Sequence, residues 1–389
     1  MLAVSLVHSD GSIKQLGWPV GRPTADTVVV GAYPAPILSN IFISGEGGYH
    51  TYRIPSLIVT ETGIVLAFCE GRVNSIADYD NIHIVLKRST DSGVTWGALE
   101  IVYGLGDDVN SFQNPCVVID KSDSTIWLLF RWTDRVPETP AKQKMMVTYS
   151  EDDGVTWADT VDITADVTLF NDYDGGWDWF VPGPGIGIQC DSGRLLIPGD
   201  CRSGTTDYIH SYCFYSDDHG ANWVRGDSVG VDGEELDECQ IVELSDGTIM
   251  LNARNGSADY RAISISDDEG ETWNTVTFSD VLIDPSVMGS IISFADSLHA
   301  NRFGLLFSNP MSKDTRERMT VRASWDEGVT WPVKKTLYTG PSAYSCLTIL
   351  PDSTIGCLFE KGVTTFREFV TFAKFDINYI TKIGMISLF

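Results

Sequence analysis

The sequence predicts an all-β fold, a six-bladed β-propeller, and two independent repeats predict it. The first is an eight-residue box, Ser89-Thr-Asp-Ser-Gly-Val-Thr-Trp96, which returns at Ser150, Ser216, Ser266 and Ser324 with spacings of 50 to 66 residues; Asn222 replaces Thr in the third copy. A period of that length marks an array built from one supersecondary unit. The second is a short hydrophobic strand, found at 63–68, 125–130, 193–198, 247–252, 303–307 and 354–359. Five boxes and six such strands fit six radial four-stranded sheets, the last closed by strands from both chain ends, because closure removes the edges an open array would expose.

Each element of that reading has a local cause. In the box, Asp91 is placed to accept backbone N–H groups of a turn, Gly93 permits φ > 0, and Trp96 supplies an apolar body expected to fold back under the hairpin. Alternating runs precede the boxes, as at 82–88, 208–215 and 319–323, and a β-prone run follows, as at 98–103, so each box joins two antiparallel strands. Residues 1–45 carry no box and are expected to complete the last blade, which makes 1–389 a single domain. No helical periodicity persists beyond a few residues, so long helices are not expected.

Composition narrows the function. A formal charge of −26, from 53 acidic and 27 basic residues, leaves no basic face for phosphates; it argues against a nucleic-acid partner and reads as a solvated surface. The 8 cysteines, at 69, 116, 190, 201, 213, 239, 346 and 357, form no C-x-x-C pair, and several lie in hydrophobic strands as small buried thiols rather than a disulfide framework. The 6 histidines show no ligand spacing, so no metal and no cofactor is expected. The run from Met1 to His8 lacks a basic n-region and is too short for a leader or a membrane-spanning helix; removal of an upstream leader would make the protein secreted or periplasmic. Asn255-Gly-Ser257 matches a glycosylation sequon, but it lies against a strand end and is read as coincidence. Oligomeric state and cellular location are left open by the sequence.

Interleaved with the boxes runs a second series of motifs. In order these are Tyr52-Arg-Ile-Pro55, Cys69-Glu-Gly-Arg72, Ala77-Asp-Tyr-Asp-Asn81, Phe112-Gln-Asn-Pro115, Pro182-Gly-Pro-Gly185, Asp237-Glu-Cys239, Asn252-Ala-Arg-Asn255, Arg316-Glu-Arg318, Gly340-Pro-Ser-Ala-Tyr-Ser345 and Leu358-Phe-Glu-Lys-Gly362. Over roughly residues 48–380 the chain resembles the sialidase (exo-α-neuraminidase) family of glycoside hydrolases. The resemblance implies that Arg53, Arg254 and Arg316 bind a substrate carboxylate, that Asp78, eleven residues before Ser89, is the acid/base, and that Tyr344 is a nucleophile served by Glu238. It also implies that Glu360 buttresses Arg53 and that Arg72 and Asn114 lie against a sugar hydroxyl. The residues alone leave alternatives. Asp80 competes with Asp78, Glu234, Glu235 and Glu243 compete with Glu238, and Arg318 and Arg322 read as plain surface charges. Arg72 serves equally well as a salt-bridge partner inside its sheet. The aromatics of the Gly-rich loop at 170–180, Trp177 and Trp179 among them, form either a carbohydrate rim or packing between blades.

Chemistry explains the residue types. Three guanidiniums give a carboxylate planar, charge-assisted hydrogen bonds that lysines would not reproduce. A carboxylate nucleophile would be repelled by the carboxylate on the anomeric carbon of a sialic acid, whereas a neutral tyrosine is not; a phenol of reference pKa about 10 then needs a base. The implied activity is a retaining exo-sialidase releasing terminal α-linked sialic acids from sialylated glycans. Two other readings are carried: a hydrolase of a related 2-keto-3-deoxy sugar acid, and a non-catalytic Asp-box carbohydrate-binding propeller, since the boxes report fold rather than function.

Overall fold

The computed structural model describes residues 34–104, 110–134, 142–169, 177–203, 208–296 and 302–381, with backbone alone for 4–7, 13–16 and residues 177, 178, 203 and 296. Within these residues the chain is all-β, with two short helices, α1 (Thr164–Val167) and α2 (Ile377–Thr381). Strands β1 (Val4–Val7) and β2 (Ile13–Leu16) pair with each other, and β3 (Ile37–Ile43) joins a sheet from the far end of the chain.

A nine-stranded sheet contains β4 (Thr51–Val59), β5 (Val65–Arg72), β6 (Ile82–Ser89), β7 (Glu100–Tyr103), β8 (Asn110–Asp120), β9 (Thr125–Asp134), β10 (Gln143–Ser150), β11 (Val161–Asp162) and, after β12 in the chain, β13 (Gly185–Ile186). A five-stranded sheet contains β12 (Trp177–Pro182), β14 (Ile188–Gln189), β15 (Leu195–Ser203), β16 (Ile209–Ser216) and β17 (Val224–Val229). A four-stranded meander follows, β18 (Leu236–Glu243), β19 (Ile249–Asn255), β20 (Tyr260–Ser266) and β21 (Thr277–Ile283). The last sheet runs β22 (Ser290–Asp296), β23 (Arg302–Pro310), β24 (Glu317–Ser324), β25 (Val333–Ile349), β26 (Ile355–Lys361), β27 (Phe369–Phe375) and then β3. There β27 pairs antiparallel with β3, from Phe369 opposite Ile43 to Lys374 opposite Ile37.

Strand β5 shows why these segments read as hydrophobic runs. All eight of its residues are buried: Val65, Ala67 and Cys69 pack with Phe42, Leu358 and Phe372, while Leu66 and Phe68 face the opposite way onto Ile84, Phe112 and Phe130. Side chains alternate faces along a strand, so covering both faces removes the polar alternation. The core is therefore a set of layers between successive sheets, and each large side chain buried in it contributes about 1.5–3 kcal/mol. At the centre, β4 touches β8, β8 touches β12 and β15, β15 touches β18, β18 touches β22, β22 touches β25, and β25 returns to β4. This closed circle of contacts brings residues remote in sequence to one axis.

The boxes fasten the turns. Ser89 Oγ donates to Asp91 Oδ1 at 2.8 Å and accepts the Gly93 N–H at 2.9 Å, while Asp91 accepts the Thr95 N–H at 2.8 Å and its hydroxyl at 2.6 Å. In the third box Asn222 Nδ2 replaces that hydroxyl, 2.6 Å from Asp218. The Thr95 donors hold the Asp91 carboxyl down to about 2. Gly93 is required twice over, for its φ of +81° and because a Cβ there would stand 2.2 Å from the Phe372 ring.

The tryptophans depart from expectation. Trp96 packs edge-on against Phe372 of β27, on a neighbouring sheet, at 5.2 Å, and Trp157 against Phe68 of β5, in the other meander of its own sheet, at 5.8 Å, rather than beneath their own hairpins. A two-stranded turn offers little apolar area, whereas the adjacent sheet offers a whole face.

Candidate active site

The strands around the centre share a device. Register slips between Arg53 and Ser56 in β4, Gln113 and Cys116 in β8, Leu236 and Cys239 in β18, and Ser342 and Ser345 in β25. A bulge re-aims side chains locally, and these four carry Arg53, Asn114, Glu238 and Tyr344. Two of the bulged residues occupy the left-handed region, Ile54 at φ 60° and Asn114 at φ 55°. For a β-branched residue that conformation is strained, and the buried Glu360 opposes the strain by accepting the Ile54 N–H at 2.9 Å.

The bulges open onto a cavity of about 310 Å³ lined by Arg53, Arg72, Asp78, Asn114, Glu238, Arg254, Arg316 and Tyr344 among others. Glu360 lies behind this wall, joined to Arg53 Nε at 2.9 Å and Nη2 at 3.1 Å. Burial works against the charge of Arg53, but Glu360 outweighs it and holds the guanidinium above its ordinary value. A larger cleft of about 460 Å³, lined by Phe278, Val281, Val329 and Trp331, contains none of these groups.

Tyr344 Oη donates to Glu238, 2.6 Å from Oε1 and 2.7 Å from Oε2, and Arg254 Nη1 reaches both Glu238 Oε2 at 2.8 Å and Tyr344 Oη at 3.3 Å. Burial, then the neighbouring Glu238 charge, pushes the Tyr344 phenol well above 10, with Arg254, Arg316 and Arg53 pulling the other way. Burial and Asp237 likewise raise Glu238. The shift of Tyr344 favours the neutral phenol, which donates its hydrogen bond to Glu238. Arg53 and Arg316 stand over the Tyr344 ring, 5.1 and 5.7 Å from its centroid. Ser286, itself at φ 53°, steers two arginines at once: its Oγ accepts from Arg254 Nε at 3.0 Å and its carbonyl from Arg316 Nη2 at 2.6 Å.

Across the cavity the Asp78 side chain is 69% exposed, 2.7 Å from Arg72 Nη1 and 4.0 Å from Arg53 Nη1. Asp80, its competitor, is buried and accepts from Asn74 Nδ2 and the Asn81 N–H, which makes it a staple of the loop. Glu234 and Glu235 precede β18, and Glu243 holds the Asp191 N–H at that strand's other end. Arg72 is fully buried, its Nε and Nη2 on Glu70 Oε2 at 3.0 and 2.7 Å and its Nη1 on the Ile76 carbonyl at 2.6 Å and on Asp78. These contacts use four of its five N–H donors and orient Asp78. Arg318 is exposed, as expected of a surface charge. Arg322 is not: it is buried, donates to Asn309 Oδ1 at 2.7 Å, and is pushed down to about 10 by that burial. Its strand lies inside a sheet covered on both faces, which a single Arg in an alternating run does not reveal. The sequon residue Asn255 is also fully buried.

Three carboxyl groups at the site escaped the sequence reading. Glu70 holds Arg72, Asp237 lies 3.2 Å from Arg254 Nη1, and Asp200, 1% exposed, accepts Trp179 Nε1 at 2.9 Å while its Oδ1 has no partner among the described residues. Burial first, then Asp237 and Glu238, raises Asp200 well above the usual carboxylate range. A signal existed. One or two positions after the end of five of the six hydrophobic runs stand Glu70, Arg131, Asp200, Arg254 and Glu360, a polar group following each run. Trp179 lines the cavity with the Arg131 guanidinium 3.9 Å over its ring; the Trp177 side chain and residues 170–176 lie outside the described residues.

Comparison with known proteins adds an independent line. A family model described as BNR repeat-like domain matches residues 63–357. A sialidase of Micromonospora viridifaciens is 34% identical over 370 residues, covering 90% of this chain and 55% of that protein. This chain thus spans little more than half the length of that relative. Among solved structures, a Hadza microbial sialidase superposes with a TM-score of 0.81 at 30% identity, covering 89% of this chain and 69% of that one. The intramolecular trans-sialidase of Ruminococcus gnavus, in complex with oseltamivir carboxylate, superposes at 0.75 with 20% identity, covering 89% and 99%, a likeness of fold.

Proposed function

This chain belongs to the sialidase family, with its BNR repeat-like domain over residues 63–357, and from that premise we propose that it is a retaining exo-α-sialidase built on a six-bladed β-propeller. The blade count is supported by the way the larger sheets divide. The nine-stranded sheet is two meanders joined by one parallel pair, Ile82 opposite Ser111, and the seven-stranded sheet is two that share the 17-residue strand β25.

The observation that carries the activity is the Tyr344 hydroxyl, held between both oxygens of Glu238 and beside Arg254, on a cavity where Arg53 and Arg316 stand over the same ring. The sugar-acid carboxylate binds Arg53, Arg254 and Arg316. Tyr344 Oη attacks the anomeric carbon while its proton passes to Glu238, and the glycosidic oxygen leaves with the proton of Asp78. Asp78, now a carboxylate, takes a proton from water, which attacks the same carbon; the tyrosyl C–O bond breaks and Glu238 returns the proton to Tyr344. Two displacements give net retention. Holding Asp78 by Arg72 at the open side keeps it where a leaving group departs to solvent.

The test is a panel of α-sialosides and 2-keto-3-deoxy analogues followed by proton NMR. Release of free sialic acid whose first-formed anomer is α supports the reading. A β first product contradicts retention, and an anhydro or transferred product replaces hydrolysis with transfer.

A further inference from the structure

The turn between β26 and β27 presents a guanidinium that this reaction does not use. Glu368 accepts the N–H groups of Val363 at 3.0 Å, Thr364 at 2.7 Å and Thr365 at 3.0 Å, and Ser44 Oγ donates to the Arg367 carbonyl at 2.7 Å, so the turn is fixed from two sides. It places Phe366 beneath Arg53 and Arg316, at 5.3 and 5.7 Å, and stacks Arg367 on the same ring at 4.5 Å. Arg367 lines the cavity.

Every other arginine lining the cavity has an oxygen acceptor: Glu360 for Arg53, Glu70 for Arg72, Glu238 for Arg254 and the Ser286 carbonyl for Arg316. Among the described residues nothing accepts from the Arg367 guanidinium, and its Nε is closed off from solvent without a partner. Its own neighbour Glu368 is spent on the turn. Burial, then the charges of Arg53, Arg316 and Arg72, works against this cation, with Glu360 alone among its larger influences favouring it. An unpaired cation in a cation-rich wall is a site lacking its anion.

The carboxylate of the bound sugar acid does not fill this role. It offers about four lone-pair positions, and Arg53, Arg254 and Arg316 between them supply enough donors to occupy these. Arg53 and Arg316 share the Phe366 ring with Arg367, and Arg53 is also one of the two arginines beside Asp78, Arg72 at 2.7 Å and Arg53 at 4.0 Å. With Arg53 and Arg316 committed to the sugar carboxylate, the anion left for Arg367 is one on the leaving group that Asp78 protonates. We propose that Arg367 selects substrates whose leaving group carries a second anion next to the scissile bond, either the carboxylate of a penultimate sugar acid or a sulfate ester on a penultimate hexose. The inference rests on the sialidase reading above and deepens it.

The experiment compares wild type, Arg367→Gln and Arg367→Lys on three donors: a sialoside of a neutral disaccharide, an α-linked disialoside, and a sialoside of a sulfated disaccharide. Arg367→Gln is expected to lower kcat/KM about 3- to 5-fold on an anionic donor, the upper part of the range for an exposed charge pair, and to leave the neutral donor within about twofold. Lys restores part of the loss, and raising the salt shrinks the difference. The anionic donor that shows the loss identifies the anion. An equal fall on neutral and anionic donors, or no fall on either anionic donor, overturns the inference while turnover of the neutral sialoside upholds the sialidase reading. A wild type inactive on the neutral sialoside overturns both.

Discussion

Replacing Glu360 with Gln probes how the backbone of the site and its first arginine are held together. Glu360 is fully buried and accepts four donors: Arg53 Nε at 2.9 Å, Arg53 Nη2 at 3.1 Å, the Ile54 N–H at 2.9 Å and the Tyr344 N–H at 3.4 Å. Oε1 faces Arg53 Nε and Ile54 N–H, and Oε2 faces Arg53 Nη2 and Tyr344 N–H, so whichever way a carboxamide turns, its NH₂ meets two donors. Breaking a buried ion pair from one side costs about 3–5 kcal/mol; single hydrogen bonds to charged groups are worth about 1.5–3 kcal/mol, overlap with that figure and are not added to it. A loss of about 3–5 kcal/mol is expected in urea unfolding, read from the midpoint at unchanged m-value. The KM for a sialoside should rise with it, since Arg53 loses its fixed fork. A variant within about 1 kcal/mol of wild type and with unaltered KM would refute the argument, and with it the idea that Glu360 holds Ile54 in its strained conformation.

Four further outcomes follow from the geometry. Asp78→Ala should lower turnover of alkyl sialosides by about 10²–10⁴-fold but spare activated aryl sialosides, whose leaving oxygen needs no proton; equal losses on both would assign Asp78 to binding. The acid limb of kcat/KM should lie above the ordinary glutamate value of about 4.3, because Glu238 must be ionised to accept the phenolic proton and its affinity for protons is raised. Asp200 is protonated more readily folded than unfolded, so its stability contribution is complete below the unfolded value of about 3.9 and lost as pH rises toward the folded one. Asp200→Asn should therefore gain on wild type in thermal unfolding between pH 5 and pH 8, and a constant difference would show that Asp200 is ionised throughout. Gly93→Ala places a Cβ 2.2 Å from the Phe372 ring at φ +81° and should cost about 1–3 kcal/mol in the same assay.

Much of this architecture is written locally. The box is legible because all its bonds close within seven residues, from Ser89 to Thr95, and the strands are legible because burial on both faces erases polar alternation. The site is less so. Ile54 in the left-handed region contradicts local preference and depends on Glu360, 306 residues away. Arg72 reads as a ligand contact or an internal salt-bridge partner and Arg322 as a surface charge, and only the tertiary structure shows Glu70 holding the one and Asn309 the other. Asp200 looks like a turn acid until a neighbouring sheet brings it beside Asp237 and Glu238, and Asp237 does until Arg254 of the adjacent strand comes within 3.2 Å of it. Interleaved motifs that constrain one another point to Asp78, Glu238 and Tyr344, whereas Arg367 belongs to no motif at all.

The claim at the centre is that Tyr344 bonds to the sugar during turnover. Its most direct test is to trap the enzyme with a fluorinated sialosyl fluoride, whose electron-poor ring slows the second displacement, and to map the modified peptide by mass spectrometry. The prediction is one added sugar residue on the peptide carrying Tyr344 in wild type, and none in Tyr344→Phe, which should retain binding of an unsaturated sialic acid analogue while losing turnover by roughly 10³-fold or more. A sugar attached to another residue, or near-normal turnover by Tyr344→Phe, would contradict the account.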